Sequence, residues 1–325
     1  MSKDFQFSIL VTGGTIGLGY ECALAIAREC PTHEVIIASR TDNGAAERIN
    51  KQLNSSNVQF MSLDLSSLSG IRKFAEKWES KNHSPISSLV LNAALQIPGP
   101  AEYTEDGFEK TFGINHVGHA LLFSLLRPHL ANKARIVITG SGVHDPAQKS
   151  GLPDAFYHTA EELASPAPRY TGSNGRQHYT NTKLANVLYM YALHRRFVKI
   201  NEKSGKNWTV TTMDPGLMPG TGLARGANGI IKFLWYRVLP HVLPLLRALI
   251  SPNIHTARES GEALARLAVG SDVEGVSGVY FEGRESIKSS QDSYNEEKQE
   301  NLWNWTINAV ARDEEKMAFK LEDLY

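Results

Sequence analysis

Short apolar runs, each closed by a glycine or a polar residue, recur along the chain and alternate with stretches of helical period. Phe7-Ser-Ile-Leu-Val11, Glu34-Val-Ile-Ile-Ala-Ser39, Val58-Gln-Phe-Met-Ser62, Ile86 to Leu91, Ala134 to Thr139 and Trp208 to Met213 read as six strands. Runs this continuous suit strands buried on both faces of a parallel sheet. Helices are expected over Tyr20 to Glu29, Asn43 to Leu53, Leu68 to Glu79 and Glu105 to Leu126. Another carries Tyr179 and places Leu184, Val187, Leu188 and Tyr191 at core spacing. Thr256 to Val269 is a further helix and Gly278-Val-Tyr-Phe281 a seventh strand, before a charged tail from Arg284 in which Trp303 and Trp305 anchor a last helix. The alternation predicts an α/β protein.

Two stretches break the pattern. An insertion at about 142–178, rich in Pro, Gly, Ser and Ala, precedes the Tyr179 helix. The most membrane-like stretch, Ile230 to Ile250, is interrupted by Lys232, Arg237, Arg247, Pro240 and Pro244, so no transmembrane segment is expected. The segment at about 217–255 reads first as an amphipathic cover over a substrate pocket, with a membrane-surface helix or a subunit contact as alternatives. No linker or repeat divides the chain, so residues 1–325 read as one domain.

Composition narrows the function by exclusion. Lys+Arg and Asp+Glu both number 34, which gives no nucleic-acid footprint. No metal-ligand spacing is present, and two cysteines offer no zinc framework. Cys22 and Cys30 lie eight apart on one predicted helix, roughly 12 Å of rise, too far for a disulfide. A reducing, cytoplasmic setting is the simpler expectation. Lys3 and Asp4 lead straight into the first strand, with no signal peptide in view.

Candidate chemistry gathers at strand ends. Thr12-Gly-Gly-Thr-Ile-Gly-Leu-Gly19 joins the first strand to the first helix, the context of a dinucleotide-binding loop. A glycine turn that merely tightens the joint is the rival reading. Arg40 stands where an NAD site wants an acid, which favours the 2′-phosphate of NADP; nearby Asp42 opposes it and NAD stays the alternative. Asp64 and Leu65, after the third strand, suit an adenine contact, with an N-cap to the next helix as the competing role for Asp64. Asn92-Ala93-Ala94 leaves room for a ribose, or makes a tight turn. Asn115 and Gly118 inside a predicted helix point to a kink or a function. Ser141 reaches the same rim, where its hydroxyl suits a substrate carbonyl. His144 reads rather as a loop residue. Tyr179 and Lys183, four apart on a helix, share a face, and a cation beside a phenol favours phenolate. Tyr294 and Lys298 repeat the spacing among Glu296, Glu297 and Glu300 and read as a solvated face.

Taken together, these motifs resemble the short-chain dehydrogenase/reductase family over nearly the whole length. The Thr12 to Gly19 run fits its Thr-Gly-x-x-x-Gly-x-Gly loop, and Asn92-Ala93-Ala94 fits its Asn-Asn-Ala-Gly segment in part. Asn115-His-Val-Gly-His, the Gly-Ser-Gly-Val-His-Asp-Pro run and the long gap from Ser141 to Tyr179 are similar to the retinol dehydrogenase and light-dependent protochlorophyllide reductase branch. The resemblance implies a single Rossmann-type, doubly wound domain with a parallel seven-stranded sheet and helices on both faces. It implies a catalytic set of Asn115, Ser141, Tyr179 and Lys183, with Lys183 lowering the tyrosine pKa and Asn115 positioning a water. Cofactor contacts would come from Thr12, Gly13, Thr15, Ile16, Gly17, Leu18, Gly19, Arg40, Asp64, Leu65, Asn92, Ala93, Tyr179, Lys183, Pro215, Gly216, Met218 and Thr221. The implied activity is NADP-dependent hydride transfer to or from the carbonyl or alcohol carbon of an apolar small molecule. A non-redox isomerase, cyclase or dehydratase in the same pocket, or a cofactor sensor, is the alternative. Pairing of subunits is left open.

Overall fold

The computed structural model describes residues 5–166, 175–220, 229 and 233–321. The apolar runs form strands β1 (Ser8–Thr12), β2 (Glu34–Ser39), β3 (Val58–Ser62), β4 (Ile86–Leu91), β5 (Leu130–Thr139), β6 (Asn207–Asp214) and β7 (Val279–Glu282). All seven are parallel, in the order β3-β2-β1-β4-β5-β6-β7. An eighth strand, β8 (Glu285–Ile287), adds an antiparallel edge beside β7. It is three residues long with mostly exposed side chains, so it carries no apolar run to mark it.

Because strand side chains alternate between faces, the sheet builds two cores. Leu10, Ile36, Leu89, Leu91, Ile136 and Ile138 face one layer of helices. That layer contains α3 (Leu68–Ser80), α5 (Gly118–Leu126), α7 (Gly175–Ser204) and α10 (Glu296–Val310). Ile9, Val11, Val35, Ile37, Val90 and Val137 face the other, formed by α1 (Gly17–Glu29), α2 (Ala45–Leu53) and α9 (Ala257–Val269). The short helices α4 (Lys110–Phe112), α6 (Ala160–Ala164), α8 (Leu243–Leu249) and α11 (Lys316–Lys320) also lie among the described residues.

The expected helix over Glu105 to Leu126 is instead α4, a π-helical turn over Gly113–Val117, and α5. Trp303 is buried in α10, as expected for an anchor, and the Trp305 indole donates to Glu161. Tyr294 lies before α10 and is 47% exposed, and the Lys298 ammonium pairs with Asp292, so this second tyrosine–lysine pair makes no site.

Strand order reverses between β1 and β4, which are neighbours although two strands and three helices separate them in sequence. At such a switch point the connections leave in opposite directions and open a crevice at the strands' carboxyl ends. The clusters of candidate residues among those described fall on that edge.

Candidate active site

The crevice floor is tied by Thr12 and Asn92. The Asn92 side-chain amide donates to the Thr12 carbonyl at 2.9 Å, and the backbone N–H groups of Asn92 and Ala93 donate to Thr12 Oγ1 at 2.8 and 3.0 Å. Gly13 has φ +66°, and a Cβ there would meet the Ala93 Cα at 3.0 Å. A Cβ on Gly19 would sit 2.4 Å from the Gly13 carbonyl oxygen. These glycines are therefore required by close backbone approach as well as by the turn. No side chain caps α1: its N-cap, Ile16, makes no side-chain hydrogen bond, and the first turn holds no acid. The free N–H groups and positive dipole end are what a pyrophosphate needs.

Around that loop, Arg40 is exposed at the end of β2. Asp42 does not oppose it through a shared contact. Its Oδ1 accepts from the Ala45 and Ala46 N–H groups and so caps α2. The N-cap role weighed for Asp64 falls instead to Ser67, whose hydroxyl accepts from Gly70 N–H. Asp64 accepts from the Ser66 N–H and hydroxyl, and Leu65 is buried.

The π turn places Asn115 with a defined job. Its side chain accepts from Leu95 N–H at 2.7 Å and donates to the Leu95 carbonyl at 2.9 Å, pinning the segment after Ala94. The Asn115 backbone carbonyl faces His119 instead. That carbonyl lies 3.2 Å from His119 Nδ1, while His119 Nε2 lies 2.9 Å from Thr12 Oγ1. A carbonyl can only accept, so Nδ1 carries the proton and Nε2 accepts from the Thr12 hydroxyl. Burial pushes His119 down to about 4, consistent with a neutral ring. His119 therefore joins the glycine loop, Asn92 and Asn115 into one network, a link the sequence did not mark. Gly118 allows it. A Cβ there would lie 2.5 Å from the Leu65 carbonyl oxygen.

Ser141 follows β5, and Tyr179 and Lys183 stand one turn apart on α7. The Ser141 hydroxyl is near enough to the Tyr179 phenol to favour its ionised form. Lys183 Nζ donates to the Thr139 carbonyl at 2.9 Å and lies 5.6 Å from the Tyr179 ring centroid. The expected depression of the tyrosine pKa is not found. Burial, reinforced by the Asp214 carboxylate and offset by Ser141, pushes Tyr179 up to about 12. The lysine is turned toward Thr139 rather than the phenol oxygen, and its own pKa falls to about 8 because its ammonium is buried. At neutral pH the pair is a neutral phenol beside a largely charged ammonium.

Asp214, at the end of β6, was missed because nothing in its local pattern marks it. It is 3% exposed and accepts from Gly216 N–H at 3.0 Å and from the Asn253 amide at 2.7 Å. It holds the Pro215-Gly216 turn, where Gly216 has φ +73° and Met218 is buried. Thr221 lies outside the described residues. His144 Nε2 accepts from Ser290 N–H, leaving Nδ1–H to donate to the Ser141 carbonyl, so it braces the loop as expected of a structural residue. A cleft of about 30 Å³ between Phe156, His158, Leu163 and Asn181 excludes the three hydroxyl and ammonium groups of the site, and is water-sized.

The short chain dehydrogenase family pattern matches residues 8–151, and an AcuH dehydrogenase domain pattern matches residues 225–319. The chain is 30% identical over 302 residues to polyprenol dehydrogenase of Danio rerio, covering 90% of this chain and 83% of that one. It is 32% identical over 309 residues to the chloroplastic protochlorophyllide reductase of Daucus carota, covering 89% and 73%. Among solved structures, the blue fluorescent protein from a metagenomic library in complex with NADPH superposes with TM-score 0.60 at 19% identity, covering 87% of this chain and 99% of that one. A 3-oxoacyl-(acyl-carrier protein) reductase from Brucella melitensis in complex with NAD gives 0.59 at 17%, covering 86% and 96%. At these identities the two structures share the fold with this chain.

Proposed function

From the premise that this chain belongs to the short-chain dehydrogenase/reductase family, we propose that it is an NADP-dependent reductase of an apolar carbonyl compound, with Tyr179 as proton donor. The observation that carries the reading is that Ser141, Tyr179 and Lys183 meet on the crevice rim, with Lys183 Nζ donating to the Thr139 carbonyl and lying 5.6 Å from the Tyr179 ring centroid. Burial holds the phenol neutral, the form a proton donor must have.

The residues present fit the cofactor. The uncapped α1 terminus with Gly13, Thr15, Ile16, Gly17, Leu18 and Gly19 would take the pyrophosphate, and the exposed Arg40 guanidinium the 2′-phosphate. Asp64 and Leu65 would flank the adenine, and Asn92 and Ala93 the adjoining ribose. Lys183 and Tyr179 would hold the nicotinamide ribose, with Pro215, Gly216 and Met218 beside the ring. NADPH bound there supplies the hydride. Ser141 orients and polarises the carbonyl oxygen, Tyr179 delivers its proton to that oxygen, and the Lys183 charge stabilises the phenolate left behind. The buried Leu243 and Met218 on the inner side of segment 217–255 suit an apolar substrate. The two reduced cysteines are compatible with the cytoplasm.

The test follows NADPH absorbance with a panel of apolar ketones, aldehydes and quinones. Tyr179→Phe should lower turnover about a hundredfold to ten-thousandfold while leaving NADPH affinity near wild type. Retained turnover in that variant, or substrate conversion with NADPH unchanged, would remove the reading; the second result would point to an isomerase or dehydratase.

A further inference from the structure

Segment 233–250 gathers several strongly exposed apolar residues. Phe233 is 61% exposed, Leu245 57%, Leu249 74% and Ile250 69%, whereas Leu243 points inward and is buried. Leu245 and Leu249 are one turn apart on α8 and so share its outer face. Patches of this kind on a soluble fold mark a contact.

Charge identifies the partner. From residue 215 to residue 258 the sequence contains no Asp or Glu and five cations, Arg225, Lys232, Arg237, Arg247 and Arg258, in a chain whose acids and bases as a whole number 34 each. Arg247 and Arg258 are paired, with Glu259 and Glu262. Arg237 is exposed, without an ion pair among the described residues. A second copy of the chain, meeting this face across a two-fold axis, would bring like charges together. An anionic lipid surface meets both properties at once, since apolar side chains enter the headgroup boundary and cations stay at the phosphates. Tyr236, 37% exposed, has the amphipathic ring favoured at that depth. No helix among the described residues is long and apolar enough to cross a membrane, so the segment would lie on it.

We infer that the outer face of segment 233–250 docks this protein on an anionic membrane surface. The segment is anchored beside the crevice: Leu217 bridges Ile254, and Arg247 donates to the Ile254 carbonyl. A docked molecule thus presents the mouth of its site to the bilayer. The inference rests on the surface and its charge, and does not require the proposed reaction.

Flotation with lipid vesicles tests it. The full chain should float with phosphatidylcholine–phosphatidylserine vesicles at about a two-to-one ratio and much less with phosphatidylcholine alone. Binding should weaken as salt rises to about 1 M, where charge interactions reach only roughly 3 Å. Leu245→Glu/Leu249→Glu, with a circular dichroism spectrum like wild type, should lose about tenfold or more of the bound fraction. Arg237→Glu, which leaves the apolar face intact, should lose binding to the anionic vesicles only. Absence of flotation, or binding equal in the variants and the wild type, overturns the inference. So does a dimer that Leu249→Glu converts to monomer in sedimentation while no vesicle binds, because the face is then a subunit contact.

Discussion

Tyr179 keeps its proton at neutral pH because two effects that oppose phenolate, burial and the Asp214 charge, outweigh the nearby Ser141 hydroxyl. Lys183 is the group of the pair that titrates in an accessible range, at about 8, since its buried ammonium is disfavoured and Asp214 only partly compensates. Reductase turnover should therefore decline as pH rises through about 8, with the tyrosine still protonated. Lys183→Arg, which stays charged, should move that limb to higher pH at some cost in rate. A profile flat to pH 10 in the wild type would show that the lysine charge is not used. Arg40 offers a second test at the same scale. Hydrogen bonds to charged groups contribute about 1.5–3 kcal/mol, so Arg40→Ala should raise the NADPH KM roughly tenfold to a hundredfold and leave the NADH KM nearly unchanged. Equal effects on both cofactors would mean that Arg40 does not read the 2′-phosphate.

At the scale of elements, the π turn and α5 show why Gly118 stands inside a helix. Alanine there would gain about 1 kcal/mol of helix propensity, but its Cβ would press on the Leu65 carbonyl, backbone that has no rotamer to yield. Overpacking of this kind costs about 1–3 kcal/mol. Gly118→Ala should therefore destabilise the protein by up to about 2 kcal/mol in urea unfolding. It should also weaken dinucleotide binding, because α5 carries His119 and its link to Thr12. A stabilised variant would show that the helix can shift without cost. The strands and the glycine loop were legible because burial on both faces and tight backbone turns are written in adjacent residues. The tyrosine–lysine spacing was legible for the same reason. The π turn, His119 and Asp214 were not: each is defined by a contact across 20 or more residues, Asn115 with Leu95, His119 with Thr12 and Asp214 with Asn253. The tyrosine pKa was misjudged on the same ground. Spacing put the ammonium on the right face, but the Thr139 carbonyl turned it from the phenol oxygen.

At the scale of the molecule, α7, which carries Tyr179 and Lys183, is clamped far from the crevice by α10. Glu300 bridges Arg195 at 2.5 Å and Arg196 at 2.7 Å, and the Arg196 guanidinium lies 4.1 Å from the centre of the Trp303 ring, which stacks on Tyr189. The two arginines draw Glu300 from its ordinary 4.5 down to about 2. A carboxylate whose folded pKa is depressed adds stability above its unfolded pKa, and that contribution is lost as pH falls toward the folded value. The Glu300 side chain is 39% exposed, so solvent screening reduces the contribution to about 1 kcal/mol. Glu300→Gln should accordingly be about 1 kcal/mol less stable than wild type at pH 7, and the gap should close between about pH 4.5 and pH 2. Urea unfolding of both proteins across that window measures it. A deficit that persists unchanged at pH 2 would mean that the amide disturbs packing around Trp303 instead, and that the clamp on α7 is apolar rather than ionic.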